Sequence, residues 1–230
     1  ILKYKAELSF IPKDCRTLLH SNSTKVLNLR EVHPNGTYYH FGLRNGILRF
    51  SSILPLQESI QIAVGIDGLP ISKSSSSQFW PILAYIMPYH KYVFPVGIFH
   101  GHKKPSDSNN YLSDFIAEVL ELNRSGLMVN NQLRKIEIKI ICCDSPAKAY
   151  ILRVKTHSGY FSCTKCLHEG EYCINHVCFP YNENGNEKRN HEDYVMMKNE
   201  QYHVSPTISC LALIPNINIV DLFPLDYMHL

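Results

Sequence analysis

The order of apolar runs between residues 60 and 155 constrains the fold of this chain most. Three runs read as buried strands separated by Gly and Pro, and they follow one another directly: "IQIAVGID", "FWPILAYIM" and "KYVFPVGIF". A helical pattern, a strand ("RKIEIKIICCD") and a second helical pattern ("SPAKAYILRVK") come next. Strands in direct succession favour antiparallel pairing, and a strand reached through a helix favours pairing parallel to the first. The sequence therefore predicts an α/β fold, a mixed sheet with flanking helices.

Local turn and capping signals refine this prediction. Pro81 and Pro95 favour an edge or bulged position for the second and third strands, because proline cannot donate to a sheet ladder. Ser145 is the expected N-cap of the second helix, with Pro146 at its first position. Ahead of these strands, Asn35-Gly36 predicts a hairpin.

Two of the predicted strands end on an acid, Asp67 and Asp144. The carboxyl ends of parallel strands share one edge of a sheet, so we expect these two side chains at the same edge. A pair of carboxylates on strand ends suits Mg²⁺ and two-metal chemistry on a phosphodiester. The plain alternative is that each Asp only terminates a strand or caps a helix, since Asp-Gly and Asp-Ser-Pro are common turn sequences.

A Cys-x-x-Cys, "CTKC", marks the next segment. Cys163 and Cys166 have the spacing of half a tetrahedral zinc site, and a redox pair or no chemical role are the alternatives. A zinc site needs two further ligands. The local candidates are His157, His168, Cys173, His176 and Cys178, and the distant ones are His203 and His229.

A basic loop follows the third predicted strand. His102, Lys103 and Lys104 in "GHKKPSDSNNYL" are candidates for contact with a phosphate backbone, with an ordinary solvated loop as the alternative. The net charge of +3 and the pI near 8.4 allow nucleic-acid contact without requiring it.

Bulk composition narrows the class of protein. With 230 residues, 45% of them hydrophobic, the chain has enough apolar material for one sizeable core and a small appended module. We find no signal-peptide pattern and no apolar run of the roughly 18 residues that a membrane span needs. The prediction is a soluble, non-secreted protein without a membrane partner, in which clustered cysteines favour metal over disulfides. The sequence begins without Met and stops within an apolar pattern, which we interpret as a piece of a longer protein.

Several long motifs, in order, resemble the transposases of the CACTA (En/Spm-like) group, and more closely the transposase-derived proteins of invertebrate genomes. The resemblance covers about residues 10 to 230, and the motifs that carry it are "IDGLPISKSSSSQFWPILAYI", "FPVGIFHGHKKPSDSNNYLSDFIAEV", "IICCDSPAKAYILRVKTHSGYFSCTKCLHEGEY" and "FPLDYMHL". It implies a ribonuclease-H-like core with a DDE/D triad, in which Asp67 is the first acid and Asp144 the second. It further implies Mg²⁺- or Mn²⁺-dependent cleavage of DNA at transposon ends, then strand transfer.

The resemblance also bears on the zinc ligands and on completeness. In related recombinases a CxxC follows the second acid at a similar interval, and its histidine partners lie much further along. His229 in "DYMHL" is then one zinc ligand, with Cys173 and Cys178 as bystanders. A purely local zinc knuckle is the alternative, and Asp226 and His229 otherwise mark only a helix start. The third acid follows a long helical insertion in the family, so we expect this chain to be a catalytically incomplete fragment.

These expectations divide the chain into four parts: an N-terminal irregular or β segment (1–57), a partial ribonuclease-H-like core (58–156), a Cys/His-rich zinc element (157–180), and a polar loop with the start of the insertion (181–230). The expected partner is DNA, both transposon ends and target, with a nuclear location and homo-oligomers at full length. Two alternatives remain open. One is an unrelated metal-dependent nuclease or phosphatase on a similar sheet, and the other is a domesticated, inactive DNA- or protein-binding module.

Overall fold

A computed structural model describes residues 28–54 and 58–225. Its strands are β1 (Arg30–Val32), β2 (Gly36–His40), β3 (Ser59–Ile66), β4 (Leu69–Pro70), β5 (Gln78–Ile86), β6 (Phe94–Gly101), β7 (Leu127–Val129), β8 (Gln132–Cys142), β9 (Glu171–Cys173) and β10 (His176–Cys178). In the described part of the chain, β1 to β8 form one mixed sheet in the order β1-β2-β6-β5-β3-β8-β7, with β4 paired to β5. Strands β9 and β10 form a separate hairpin.

Four α-helices accompany these strands within the described ranges. They are α1 (Leu43–Arg49), α2 (Ser108–Ser125), α3 (Ser145–Leu152) and α4 (His191–Val195). Short 3₁₀ turns cover Ser51–Ile53, Glu200–Tyr202 and Cys210–Leu213. No helix of the described residues has the length and apolar character needed to cross a membrane.

The strand pairing confirms the predicted mixed sheet. Strands β3, β5 and β6 pair antiparallel, and β8 pairs parallel to β3. The β5–β6 register shifts between Ile82 and Leu83, where Leu83 lies opposite Pro95. Pro95 thus lies at a bulge rather than at an edge, since β5 and β6 are both inside the sheet, whereas Pro81 pairs with Ile98 just before the bulge. The predicted hairpin is also confirmed, because β1 pairs with β2 and Val32 lies opposite Gly36.

Helix α2 covers the sheet and is fixed to it through Tyr111. The Tyr111 ring is buried, meets Tyr38, Trp80 and Phe99 edge to face, and its hydroxyl donates to the Trp80 carbonyl oxygen at 3.1 Å. A buried hydroxyl needs such an acceptor, so this bond fixes the position of the helix as well as adding apolar area.

Hydrogen bonds to Glu118 connect α1 to α2. The Glu118 carboxylate, on α2, accepts from the backbone N–H groups of Leu43 and Arg44 at 2.6 and 2.9 Å, and it lies 2.9 Å from His40 Nε2. Burial alone would raise the pKa of this carboxyl. The bond to His40 and the two backbone bonds outweigh it and lower the pKa. Glu118 therefore supplies the N-terminal capping interaction that Gly42, the residue before α1, cannot make.

The predicted cap of α3 is wrong by one residue. Asp144 is the N-cap, because its Oδ1 accepts from the Ala147 N–H at 2.6 Å. Ser145 is the first helical residue, and Pro146 follows in the first turn. Asp and Ser are about equally good caps, and the extended backbone of Asp144 decides between them.

Candidate functional site

The sheet brings Asp67 and Asp144 to the same edge. Gly65 of β3 pairs with Cys142 of β8 in the parallel register, and each acid lies two residues beyond its paired residue. Neighbouring strands run about 4.8 Å apart, so both acids leave the sheet side by side. The half-buried Cys143 thiol lies close to both of them. Burial chiefly raises the pKa of that thiol, and the charges of Asp144 and Asp67 raise it further.

Asp67 is exposed and lies in the short connection between β3 and β4. Its Oδ1 accepts from the Gly68 N–H at 2.7 Å. A Cβ atom added to Gly68 would lie 2.9 Å from the Trp80 ring, closer than such contacts allow. The glycine therefore lets the chain cross the tryptophan immediately after the acid, which fixes where the carboxylate leaves β3.

Asp144 has a structural role whatever its chemistry. One carboxylate oxygen, Oδ1, caps α3, so the helix-capping role expected as the alternative to metal binding is present. Within the described residues, the other oxygen accepts no hydrogen bond. A capping aspartate can still offer one oxygen to a cation, so the cap and a metal contact are compatible.

The two acids fit a magnesium ion only as part of a larger set of ligands. Mg²⁺ is commonly bound by one or two carboxylates, with water and substrate phosphate completing six ligands. Across residues 28–54 and 58–225, no group of three or more His, Cys, Asp or Glu side chains is close enough together to hold a metal ion. The described part of the site thus offers two protein carboxylates.

The basic loop lies at the same edge. Strand β6 ends beside the start of β5, which pairs with β4 beyond the end of β3. His102, Lys103 and Lys104 therefore follow the sheet on the side of the acids. All three are exposed. Lys104 Nζ lies 4.9 Å from the centre of the Tyr150 ring on α3, which holds the loop toward that helix.

Serine side chains, which the sequence did not single out, support this loop. His102 Nδ1 lies 3.3 Å from Ser76 Oγ, and His100 Nε2 lies 2.8 Å from Ser77 Oγ. The serine run of the β4–β5 connection therefore packs beside the basic loop.

Cys163 and Cys166 form a close thiol pair. Their Sγ atoms are 3.2 Å apart, and the Cys166 N–H points at Cys163 Sγ from 3.4 Å. Burial and the bond to Cys163 raise the pKa of the Cys166 thiol, while the His168 backbone N–H lowers it. Backbone N–H groups directed at both sulfurs would stabilise thiolates.

Arg189 holds the segment that contains this pair. Its guanidinium donates to the Cys163 carbonyl at 2.7 Å, to Asn199 Oδ1 at 3.1 Å and to the Phe161 carbonyl at 3.4 Å. The same group stacks over the Tyr202 ring, 3.7 Å from its centre. Arg189 is 8% exposed, so these are interior contacts. No sequence pattern marks this residue, because it lies in a stretch that reads as a polar loop.

The remaining zinc candidates do not join the pair within the described residues. Cys173 and Cys178 are free thiols on the β9–β10 hairpin, close enough to share a hydrogen bond. Among the described residues, neither ring nitrogen of the buried His203 has a hydrogen-bond partner, and His168 Nε2 has none either. His229 and Asp226 lie outside the described residues.

Lys165, inside the CxxC, ties the cysteine turn to the last described stretch. Its ammonium donates to the carbonyls of Val220 and Phe223, the latter at 2.8 Å. Burial lowers the pKa of Lys165, the charge of Asp221 opposes that shift, and the nearby Lys148 adds to it. The chain that leads toward His229 is therefore anchored beside Cys163 and Cys166.

An open groove of about 570 Å³ runs from Asp144 to Cys163. It joins the acid edge to the cysteine turn, which the sequence predicted as separate features. Its lining includes Lys148, His157, Phe179 and Leu225. Lys148 and Phe179 were not predicted as site residues, because only the fold brings their segments together.

Comparison with known proteins adds no family assignment. A scan against protein-family models gave no match, and a search of curated proteins gave none either.

Proposed function

We propose that this chain is the partial catalytic core of a DDE/D DNA transposase, with a ribonuclease-H-like sheet in which Asp67 and Asp144 are the first two acids of the triad. The observation that supports this most is the parallel pairing of β3 with β8, which puts both acids at one edge. The strand order β6-β5-β3-β8, three antiparallel strands and then one parallel to the first, is the arrangement that the ribonuclease-H-like interpretation requires.

The chemistry follows from the residues at that edge. Divalent ions held there would activate the attacking oxygen and stabilise the leaving oxygen of a phosphodiester. Asp67 and Asp144 provide hard oxygen ligands from strand ends that the sheet holds rigid. His102, Lys103 and Lys104 lie at the same edge and are placed to contact the DNA backbone.

Metal binding by single-residue variants tests the proposal. Mn²⁺ binding, followed by electron paramagnetic resonance, should weaken at least about tenfold in Asp67→Asn and in Asp144→Asn, since each removes a charged ligand. Asparagine is a good helix cap, so Asp144→Asn preserves the start of α3. Asp114→Asn, on the outer side of α2, is the control and should bind Mn²⁺ like the parent.

We propose further that Cys163 and Cys166 supply two ligands to a zinc ion. The support is the close thiol pair with backbone N–H groups directed at both sulfurs. His229 remains the proposed distant ligand from the resemblance. Zinc content, measured by mass spectrometry, should fall in the Cys163→Ser/Cys166→Ser variant and stay unchanged in Cys173→Ser/Cys178→Ser. The reverse result would assign the zinc to the hairpin.

One observation favours a second candidate, an inactive DNA-binding module derived from a transposase. The described residues bring together two acids and no third. If Asp67→Asn and Asp144→Asn leave Mn²⁺ binding unchanged while DNA binding persists, the module is the better description.

A further inference from the structure

Lys148 has a buried side-chain stem, and among the described residues its ammonium has no counter-ion. It lies on α3, one turn after Asp144, and only 6% of the residue is exposed. Among the described residues, its ammonium has no hydrogen bond and no ion pair. The Nζ atom keeps some accessible surface, so the packed stem carries the charge to the wall of a groove rather than into the core. The side chain lines the groove that starts at Asp144, so its charge is available to a ligand there.

The surroundings of Lys148 disfavour a cation as that ligand. Lys165 lines the same groove and carries the same charge as Lys148. His157, exposed, lines it too. The Lys165 ammonium is already bonded to two carbonyls, whereas that of Lys148 is not. Three basic side chains therefore line the groove beside one acid, Asp144, which favours an anion next to Lys148.

The groove also has an apolar, aromatic wall. Pro146, Phe179 and Leu225 line it, and Phe179 is 38% exposed, enough to present part of its ring. The centres of the Phe179 and His168 rings are 6.4 Å apart, so the histidine supports the phenylalanine ring. Cations beside an exposed aromatic ring suit a chain of phosphates and bases better than an isolated inorganic anion.

We propose that this groove binds one strand of a nucleic acid, with Lys148 contacting a backbone phosphate next to Asp144 and Phe179 stacking on a base. The inference rests on the proposed function in one respect, because it extends the acid edge into a path for the substrate strand. It adds two binding residues and a direction, from the acids toward the cysteine turn.

Oligonucleotide binding by the 230-residue chain tests the lysine. Fluorescence anisotropy with a labelled single-stranded DNA should show about tenfold weaker binding for Lys148→Met, and a salt slope lower by about 0.7. Lys148→Arg should retain most of the affinity. Lys91→Met, which removes an exposed charge from the turn before β6, should change affinity less than about twofold.

A thermal melt separates a binding role from a structural one. Methionine keeps most of the packed stem and removes an ammonium that makes no hydrogen bond within the described residues, so Lys148→Met should melt close to the temperature of the parent. A clearly lower melting temperature would mean that Lys148 is held by the fold itself, and it would overturn the proposal.

Phe179→Ala tests the stacking contact, with Tyr181→Ala as its control. Tyr181 is 89% exposed, lies two residues further along, and is not part of the groove. We expect about tenfold weaker binding for Phe179→Ala and little change for Tyr181→Ala. Equal effects of the two variants would contradict a base at Phe179.

Competition identifies the ligand. Unlabelled oligonucleotide should displace the probe at micromolar concentration, while inorganic phosphate and a mononucleotide should fail at the same concentration. Displacement by phosphate alone would overturn the nucleic-acid assignment. The Mn²⁺ experiment and the oligonucleotide experiment can fail separately. Lys148→Met can weaken DNA binding whether or not Asp67 and Asp144 bind metal.

Discussion

Replacing Arg189 by lysine should destabilise the cysteine segment and the whole chain. Lysine keeps the charge but cannot reach the Cys163 carbonyl, the Phe161 carbonyl and Asn199 Oδ1 from one planar group. Two buried acceptors then lose their donor at about 1–3 kcal/mol each, and the stacking on Tyr202 adds about 0.5–2 kcal/mol. We expect Arg189→Lys to cost about 3–5 kcal/mol of unfolding free energy, since lysine recovers part of the loss.

Urea denaturation, followed by far-UV circular dichroism, measures this cost. For a chain of this size, about 4 kcal/mol corresponds to a melting temperature lower by roughly 8–16 °C. Arg124→Lys is the matched control, because Arg124 is exposed in the last turn of α2, and its effect should stay within about 0.5 kcal/mol. If Arg189→Lys loses less than about 1 kcal/mol, the guanidinium is not the anchor that these distances indicate.

Three other substitutions test the fold around the site. Glu118→Gln should cost about 1–3 kcal/mol of unfolding free energy at pH 7. Because folding lowers the pKa of Glu118, this stabilisation is complete above the unfolded pKa of about 4.3 and disappears as the pH falls through the folded pKa. Urea titrations of the parent and the variant should therefore converge in acid. Asp144→Ala should cost about 1 kcal/mol through loss of the α3 cap, and Ser145→Ala close to nothing, which a thermal melt can compare. Gly68→Ala should shift the fluorescence of Trp80, the chain's one tryptophan, whereas Gly65→Ala, with open space around its Cβ, should not.

Local patterns predicted the sheet well. Apolar runs and the direct succession of strands gave the directions of β3, β5, β6 and β8, because each buried strand carries its own signal in sequence. The N-cap of α3 was displaced by one residue, since Asp144 and Ser145 are both good caps and only the backbone conformation separates them.

The candidate site was predictable only in part. The approach of Asp67 to Asp144 followed from strand order, but the groove did not, because it is closed by segments far apart in the chain. Lys148 lies in an ordinary helical turn and Arg189 in a polar stretch, and neither position differs locally from a solvated one. Their burial depends on tertiary contacts that no local pattern encodes.

The hydrogen bonds of Lys165 couple the cysteine turn to residues 220–223. One ammonium holds the carbonyls of Val220 and Phe223 from within the cysteine turn. A ligand that stiffens Cys163 and Cys166 would therefore also slow the opening of residues 220–223. A ligand at the proposed zinc site would in this way restrain residues 220–223 even before a histidine binds it.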